Sequence, residues 1–200
     1  MMAIQHDLLI QSLMESMLVA QAADPHALFV MENPSASLHR RSFVRMFELL
    51  IGLRCQLVHY CAYLAKILKP TDIWTNFDWT PTGTTGDGRC GRRCEQGRFH
   101  TLASGRRSYR HPLHIAGTAE KMPKGAYASA RVPESLHNEL LWDAITAHEQ
   151  QGSMVNRSYV LELFAGSTDF GCTVRDAGLS YIAVDCSALS EKCFHRLHTV

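Results

Sequence analysis

Tyr159-Val160-Leu161-Glu162-Leu163-Phe164 runs directly into Ala165-Gly166-Ser167-Thr168-Asp169-Phe170-Gly171, and Tyr181-Ile182-Ala183-Val184-Asp185 follows after a stretch that stops at Gly178. The two apolar runs read as buried strands. The glycine-bearing turn opens a helix through Val174 and Ala177. Strand, helix and strand in this order predict a βαβ unit and hence a parallel sheet. A glycine turn at a helix N-terminus lets a ligand approach the backbone closely. An acid ending the next strand can accept hydrogen bonds from ribose hydroxyls, and Asp185 stands there, near the spacing from Gly166 that this geometry requires. With only Gly166 and Gly171 in the turn, the dinucleotide fingerprint is incomplete, and a βαβ unit whose glycines simply permit tight packing is the alternative.

Working back toward the N-terminus, Pro133-Glu134 begins a helix that runs to about Gln150 and ends at Gly152. Ile4, Leu8, Leu9, Leu13, Met14, Met17 and Leu18 recur at helical spacing until Asp24-Pro25. Ala27 to Met31 is continuously apolar, the pattern of a strand buried on both faces, and it ends abruptly at Glu32-Asn33-Pro34. Arg41 to Leu53 reads as a helix, Gln56 to Tyr60 as a strand, and Asp72 to Asn76 as a further strand. From Thr80 to Lys124 the periodicity disappears, as in a long functional loop or a disordered segment. The division expected is 1–152, with the basic loop at 80–125, and 153–200.

The chain has 200 residues and a formal charge of +1, which conceals an uneven distribution. From Gly83 to Arg131 there are ten Lys/Arg against three Asp/Glu, a local +7, so the remainder carries −6. A charged fraction of 20% beside 46% hydrophobic residues excludes wholesale disorder. The N-terminus lacks the pattern of a secretory signal and no apolar run is long enough for a membrane span, so an intracellular chain with reduced thiols is expected. Seven cysteines, an odd number, agree with that compartment.

Within the basic segment, Cys90-x3-Cys94-x5-His100 offers two thiolates and an imidazole, with His111 and His114 beyond and Cys61 upstream as a further donor. Such a set suits tetrahedral zinc, and a metal would organise a loop that has no core of its own. A flexible basic loop with free thiols is the alternative. Arg89, Arg92, Arg93, Arg98, Arg106, Arg107 and Arg110 are expected to neutralise DNA phosphates, or else to form a solvated face.

Val160-Leu161-Glu162-Leu163-Phe164-Ala165-Gly166-Ser167 resembles the first motif of S-adenosylmethionine-dependent methyltransferases, in the wording of DNA cytosine-5 methyltransferases. Phe29-Val30-Met31-Glu32-Asn33-Pro34 is similar to the Glu-Asn-Pro motif of phage-type members, and Lys69-Pro70-Thr71-Asp72-Ile73-Trp74-Thr75-Asn76 resembles their C-terminal half. The resemblance implies an α/β, Rossmann-like methyltransferase fold with a parallel sheet and a permuted or truncated motif order. It implies that Phe164, Ala165, Gly166 and Ser167 line a pocket for S-adenosyl-L-methionine and that Asp185 holds its ribose. It further implies that Glu32, with Asn33 shaping the turn, contacts N3 and the 4-amino group of a target cytosine, where a carboxyl group both identifies and activates the base. The family's Pro-Cys nucleophile is missing, since none of the seven prolines precedes a cysteine. A permutation cut short, a junction between tandem modules and a truncated gene model each fit. All three predict that this chain alone does not methylate DNA, and a second chain or module is one expected source of the Pro-Cys loop. A non-catalytic, zinc-stabilised nucleic-acid-binding module is the competing expectation.

Overall fold

The computed structural model describes residues 2–111, 113–114, 132–150, 159–163 and 180–184. The chain divides into two units, Met1–His148 and Glu149–Val200.

The first unit begins with α1 (Met2–Ala23). Asp24 ends this helix by accepting the amide of His26 on its side chain. α2 (Ser42–Ile51) closes on Gly52, which takes the left-handed conformation (φ 76°) and returns its amide to the carbonyl of Glu48. The two helices pack together, burying Met14 and Met17 of α1 and Val44, Phe47 and Ile51 of α2.

Beside them lies a three-stranded sheet made of β1 (Val30–Pro34), β2 (Arg54–His59) and a later strand, Pro70–Thr75. Preceding that strand, a 3-10 turn at Tyr60–Tyr63 leads to the short β3 (Ile67–Leu68), so Pro70–Thr75 is β4. The spatial order is β1-β4-β2, and β4 runs antiparallel to both neighbours, with Glu32 opposite Ile73 and Gln56 opposite Ile73 on the other side.

This arrangement overturns the expected Rossmann-like parallel sheet: the described residues form helices with small sheets of three and two strands, and the largest sheet is antiparallel. A parallel connection needs a crossover of about a dozen residues or more, usually helical. Between β2 and β4 the chain has only residues 60–69, folded as a tight turn and a two-residue strand, so β4 can only return alongside β2 in the opposite sense.

β1 also lies further along the chain than its apolar run predicts. The amide of Asn76 takes up the backbone of the preceding residues, accepting from Phe29 N–H at 2.7 Å and donating to the Ala27 carbonyl at 2.9 Å. The ladder therefore starts at Val30, and Glu32 and Asn33 stand within a strand rather than in a turn after it. β1 is an edge strand, which accommodates Pro34, and Val30 is exposed rather than buried.

The stretch from Thr80 is not structureless. It contains a 3-10 turn at Gly83–Thr85 and an antiparallel hairpin of β5 (Arg98–Thr101) and β6 (Arg107–Arg110). β7 (Leu113–His114) then pairs in parallel with β3. α3 (Glu134–Gln150) completes the unit, its Leu136 and Leu140 joining Val58, Tyr60, Tyr63, Ile67, Ile73, Phe77 and Trp79 in the main core. In the second unit β8 (Tyr159–Leu163) and β9 (Ser180–Val184) form a parallel pair. The cofactor-turn residues Phe164, Ala165, Gly166 and Ser167, and Asp185 after β9, lie outside the described residues.

Candidate metal centre

Three separate segments bring cysteine and histidine side chains to one point. Cys61 comes from the turn after β2 and is fully buried. Cys90 and Cys94 bracket a tight loop and are also buried. His111 follows β6. The ligand atoms of these four residues all lie within 4.8 Å of one another. The two loop thiols stand 3.6 Å apart, and the His111 Nε2 is 3.4 Å from the Cys90 sulfur and 3.1 Å from that of Cys94. The four residues could hold a metal ion.

The surrounding structure explains the convergence. His59 at the end of β2 donates its backbone N–H to the Gly88 carbonyl at 2.8 Å, and its Nδ1 accepts the Cys90 amide at 3.0 Å. Burial, reinforced by the positive Arg89 and by His111, lowers the His59 pKa and favours the neutral ring that an accepting Nδ1 requires. On the other side, Tyr109 of β6 donates its hydroxyl to the Cys94 carbonyl at 2.7 Å. Its ring lies directly on Gly97, where a Cβ would come within 2.2 Å of it, so only glycine lets the hairpin fold back this far. Side chains alternate along a strand, so His111 follows Tyr109 inward with Arg110 turned out between them.

Burial, with repulsion from the neighbouring sulfurs, pushes the Cys61 thiol up. For Cys94, burial pulls the same way but is outweighed by hydrogen bonds from Tyr109 and the other two thiols, and its pKa falls. Thiols packed this closely cannot all ionise without a cation between them. A divalent ion would reverse the penalty by favouring the thiolates.

His100 is not part of the cluster. It sits exposed on β5 opposite Ser108. The hairpin explains the exchange: β5 carries the chain away from the cysteines and β6 returns it, so the histidine beyond β6 arrives where the one on β5 cannot. The apposition of Arg98-Phe99-His100-Thr101 with Arg107-Ser108-Tyr109-Arg110 around the Ser104-Gly105 turn was the available signal.

Arg89, Arg92, Arg93, Arg98, Arg106, Arg107 and Arg110 are all exposed around this centre. Arg93 pairs with Asp87 at 2.6 Å, and Arg98 folds onto the carbonyls of Glu95 and Gly97. Glu32 lies apart from the cluster on β1. Its carboxylate accepts from Lys69 Nζ at 3.0 Å and from the Tyr60 hydroxyl at 2.9 Å, and Lys69 also sits over the Tyr60 ring. Asn33 turns its amide onto the Pro34 carbonyl at 2.8 Å.

Glu139 of α3 carries no motif and was missed by sequence reasoning. It accepts from Tyr63, from the Trp79 indole, and from the amides of Thr82 and Gly83, with a further bond from the Thr82 hydroxyl. Although burial opposes ionisation, these donors hold its pKa below the ordinary value. The contact fastens α3 to the segment that leads into the cysteine loop.

Comparison with known proteins returns no matching family, no matching curated protein and no matching solved structure. No helix among the described residues is long and apolar enough to cross a membrane.

Proposed function

We propose that this chain is a zinc-stabilised nucleic-acid-binding module, in which Cys61, Cys90, Cys94 and His111 hold the ion and the arginines around them contact the DNA backbone. The observation that carries this reading is the convergence of three buried cysteines and the half-buried His111 within 4.8 Å at the root of the arginine segment. Zinc bonds of about 2.3 Å to sulfur and about 2.0 Å to nitrogen at tetrahedral angles imply S–S edges of about 3.8 Å and S–N edges of about 3.5 Å. The Cys90–Cys94 separation of 3.6 Å and the Cys90–His111 separation of 3.4 Å lie close to those edges, and the Cys94–His111 separation of 3.1 Å is shorter.

Four protein donors leave no open coordination position, which marks a structural rather than a catalytic centre. Bound there, zinc supplies the cross-link and the positive charge that the packed thiolates need. Tyr109, Gly97 and His59 set the donors in place. The arginines supply salt-sensitive affinity without base reading. Ligands that must stay reduced support the expectation of a reducing, intracellular compartment.

The test is the zinc content of the purified chain, followed by fluorescence anisotropy of labelled DNA before and after chelation. About one zinc per chain is expected, with DNA affinity that falls on chelation and a log–log salt slope of about −4, corresponding to four or five phosphates. Fewer than about 0.2 zinc per chain, or DNA binding indifferent to salt, refutes the reading.

A second reading retains the methyltransferase resemblance. The strands bearing Glu32 and Lys69–Asn76, distant in sequence, are neighbours in the sheet, and Lys69 and Tyr60 grip the Glu32 carboxylate. That arrangement is compatible with a carboxyl group held for the edge of a cytosine, with the nucleophile supplied by a second chain or module. Its test is calorimetric binding of S-adenosyl-L-methionine, lost in Asp185→Ala; absence of binding at about millimolar cofactor rules it out.

A further inference from the structure

We infer that the β5–β6 hairpin is a platform for unpaired nucleotides, with a base stacking on Phe99 and phosphates held by the arginines beside it. The inference rests on the nucleic-acid reading above and names the form of nucleic acid it recognises: single-stranded DNA.

The two faces of the hairpin differ. Arg98 faces Arg110 directly across the ladder, and His100 faces Ser108 on the same side. Like charges directly opposite destabilise a strand pair, so a phosphate bound on this face would relieve the repulsion, although Arg98 itself rests on the carbonyls of Glu95 and Gly97. On the other face Phe99 pairs with Tyr109, and Thr101 with Arg107. Tyr109 is committed to the cysteine loop through its bond to the Cys94 carbonyl. Phe99 is not. The residue is 49% exposed, in a strand whose four residues are all exposed.

The ring is nevertheless held in place. The Arg107 guanidinium sits over it at 4.6 Å, and Tyr109 abuts it edge-on at 5.0 Å with the planes 68° apart. A fixed, half-exposed ring beside the Arg107 guanidinium on a basic ribbon is the arrangement on which bases of a single strand stack. In a duplex each base is already stacked, and exposing one carries an unstacking penalty. The same ring therefore favours single strands. Its rigidity comes from the metal centre, because Tyr109 and His111 tie β6 to the cysteines.

The experiment uses the full chain purified with zinc, and labelled oligothymidylate of about 12 nucleotides beside a mixed-sequence duplex of about 12 base pairs. Single strands are expected to bind more tightly. Phe99→Ala and Phe99→Leu are expected to weaken single-strand binding about tenfold and to leave duplex binding within about twofold. Phe99→Trp is expected to retain binding, with its indole fluorescence quenched by the oligonucleotide. Zinc content is measured in each variant, so that a disrupted hairpin is distinguished from a lost stacking surface. Duplex bound as tightly as single strand, or a Phe99→Leu variant with normal zinc and unchanged single-strand affinity, overturns the inference while leaving the basic module intact. Failure to bind either form refutes both it and the function proposed above.

Discussion

Replacing Glu139 with glutamine tests whether one carboxylate holds the helix and the cysteine-loop approach together. Glu139 accepts from Tyr63 at 2.9 Å and from the Trp79 indole, the Thr82 amide and the Gly83 amide at 3.1 Å, besides the Thr82 hydroxyl. Glutamine preserves the shape and one oxygen. It loses the charge that strengthens every bond, and it turns an NH2 toward the Gly83 N–H. Hydrogen bonds to a charged acceptor contribute about 1.5–3 kcal/mol against about 1 for a neutral one. Losing one bond and the charge assistance on the others, halved because the group is only half-buried, comes to about 3 kcal/mol. With a urea dependence of about 2 kcal/mol per molar, the unfolding midpoint falls by about 1.5 M. Tryptophan fluorescence reports it, since the Trp79 indole donates to the replaced group. The sign of the pH dependence is fixed as well. A carboxylate held below its ordinary 4.5 stabilises the fold above that pH and loses its contribution as pH falls through the lowered value. The gap between wild type and Glu139→Gln is therefore full at pH 7 and narrows as pH falls through the lowered pKa. A midpoint change under about 0.3 M at pH 7, or a gap that persists in acid, refutes the reasoning.

Cys61→Ala and His111→Ala are each expected to lower zinc affinity by at least about 100-fold, whereas His100→Ala leaves it unchanged, as a competition titration with a chromogenic chelator will show. Gly97→Ala forces Tyr109 off its seat, and an affinity loss of about tenfold follows in the same titration because His111 moves with the strand. Lys69→Met leaves the half-buried Glu32 with Tyr60 as its remaining partner in the trio; a loss of about 1–2 kcal/mol in urea unfolding is expected, and an unchanged midpoint contradicts the pairing.

The helices were legible because their signals are local. The apolar period of α1 stops at Asp24-Pro25, α2 ends on Gly52, and Pro133-Glu134 opens α3. Strand position and direction were not local properties. The Asn76 amide, more than forty residues downstream, claims the backbone of Ala27 and Phe29 and moves β1 onto Glu32-Asn33, a displacement the apolar run itself cannot encode. The antiparallel course of β4 follows from the short connection across residues 60–69, whereas the sequence reading generalised to the whole sheet a parallel pairing inferred from β8 and β9. Glu139 was invisible for a related reason: its donors are spread between Tyr63 and Gly83, and a glutamate on a helix with four scattered partner residues looks like any solvated glutamate.

The basic segment separates the two kinds of legibility most clearly. Its arginines were found by composition, which does not depend on how the strands align: those among the described residues are all exposed, as a charge surplus in a coreless stretch predicts. Its metal ligands depend on register. Alternation sends Tyr109 and His111 toward the cysteines and Arg110 away. A hairpin turn one residue shorter, with β5 fixed, would exchange these roles and present a guanidinium to the thiols. Choosing His100 by its nearness to Cys94 treated a register-dependent question as a spacing question. Two features therefore carry the site together: Gly97, which seats Tyr109, and the Leu102–Gly105 turn, which sets the ladder so that His111 returns to Cys90 and Cys94. An insertion of one residue in that turn is consequently expected to abolish zinc binding while retaining every ligand, and a variant that still binds one zinc per chain would show that the hairpin register does not place His111.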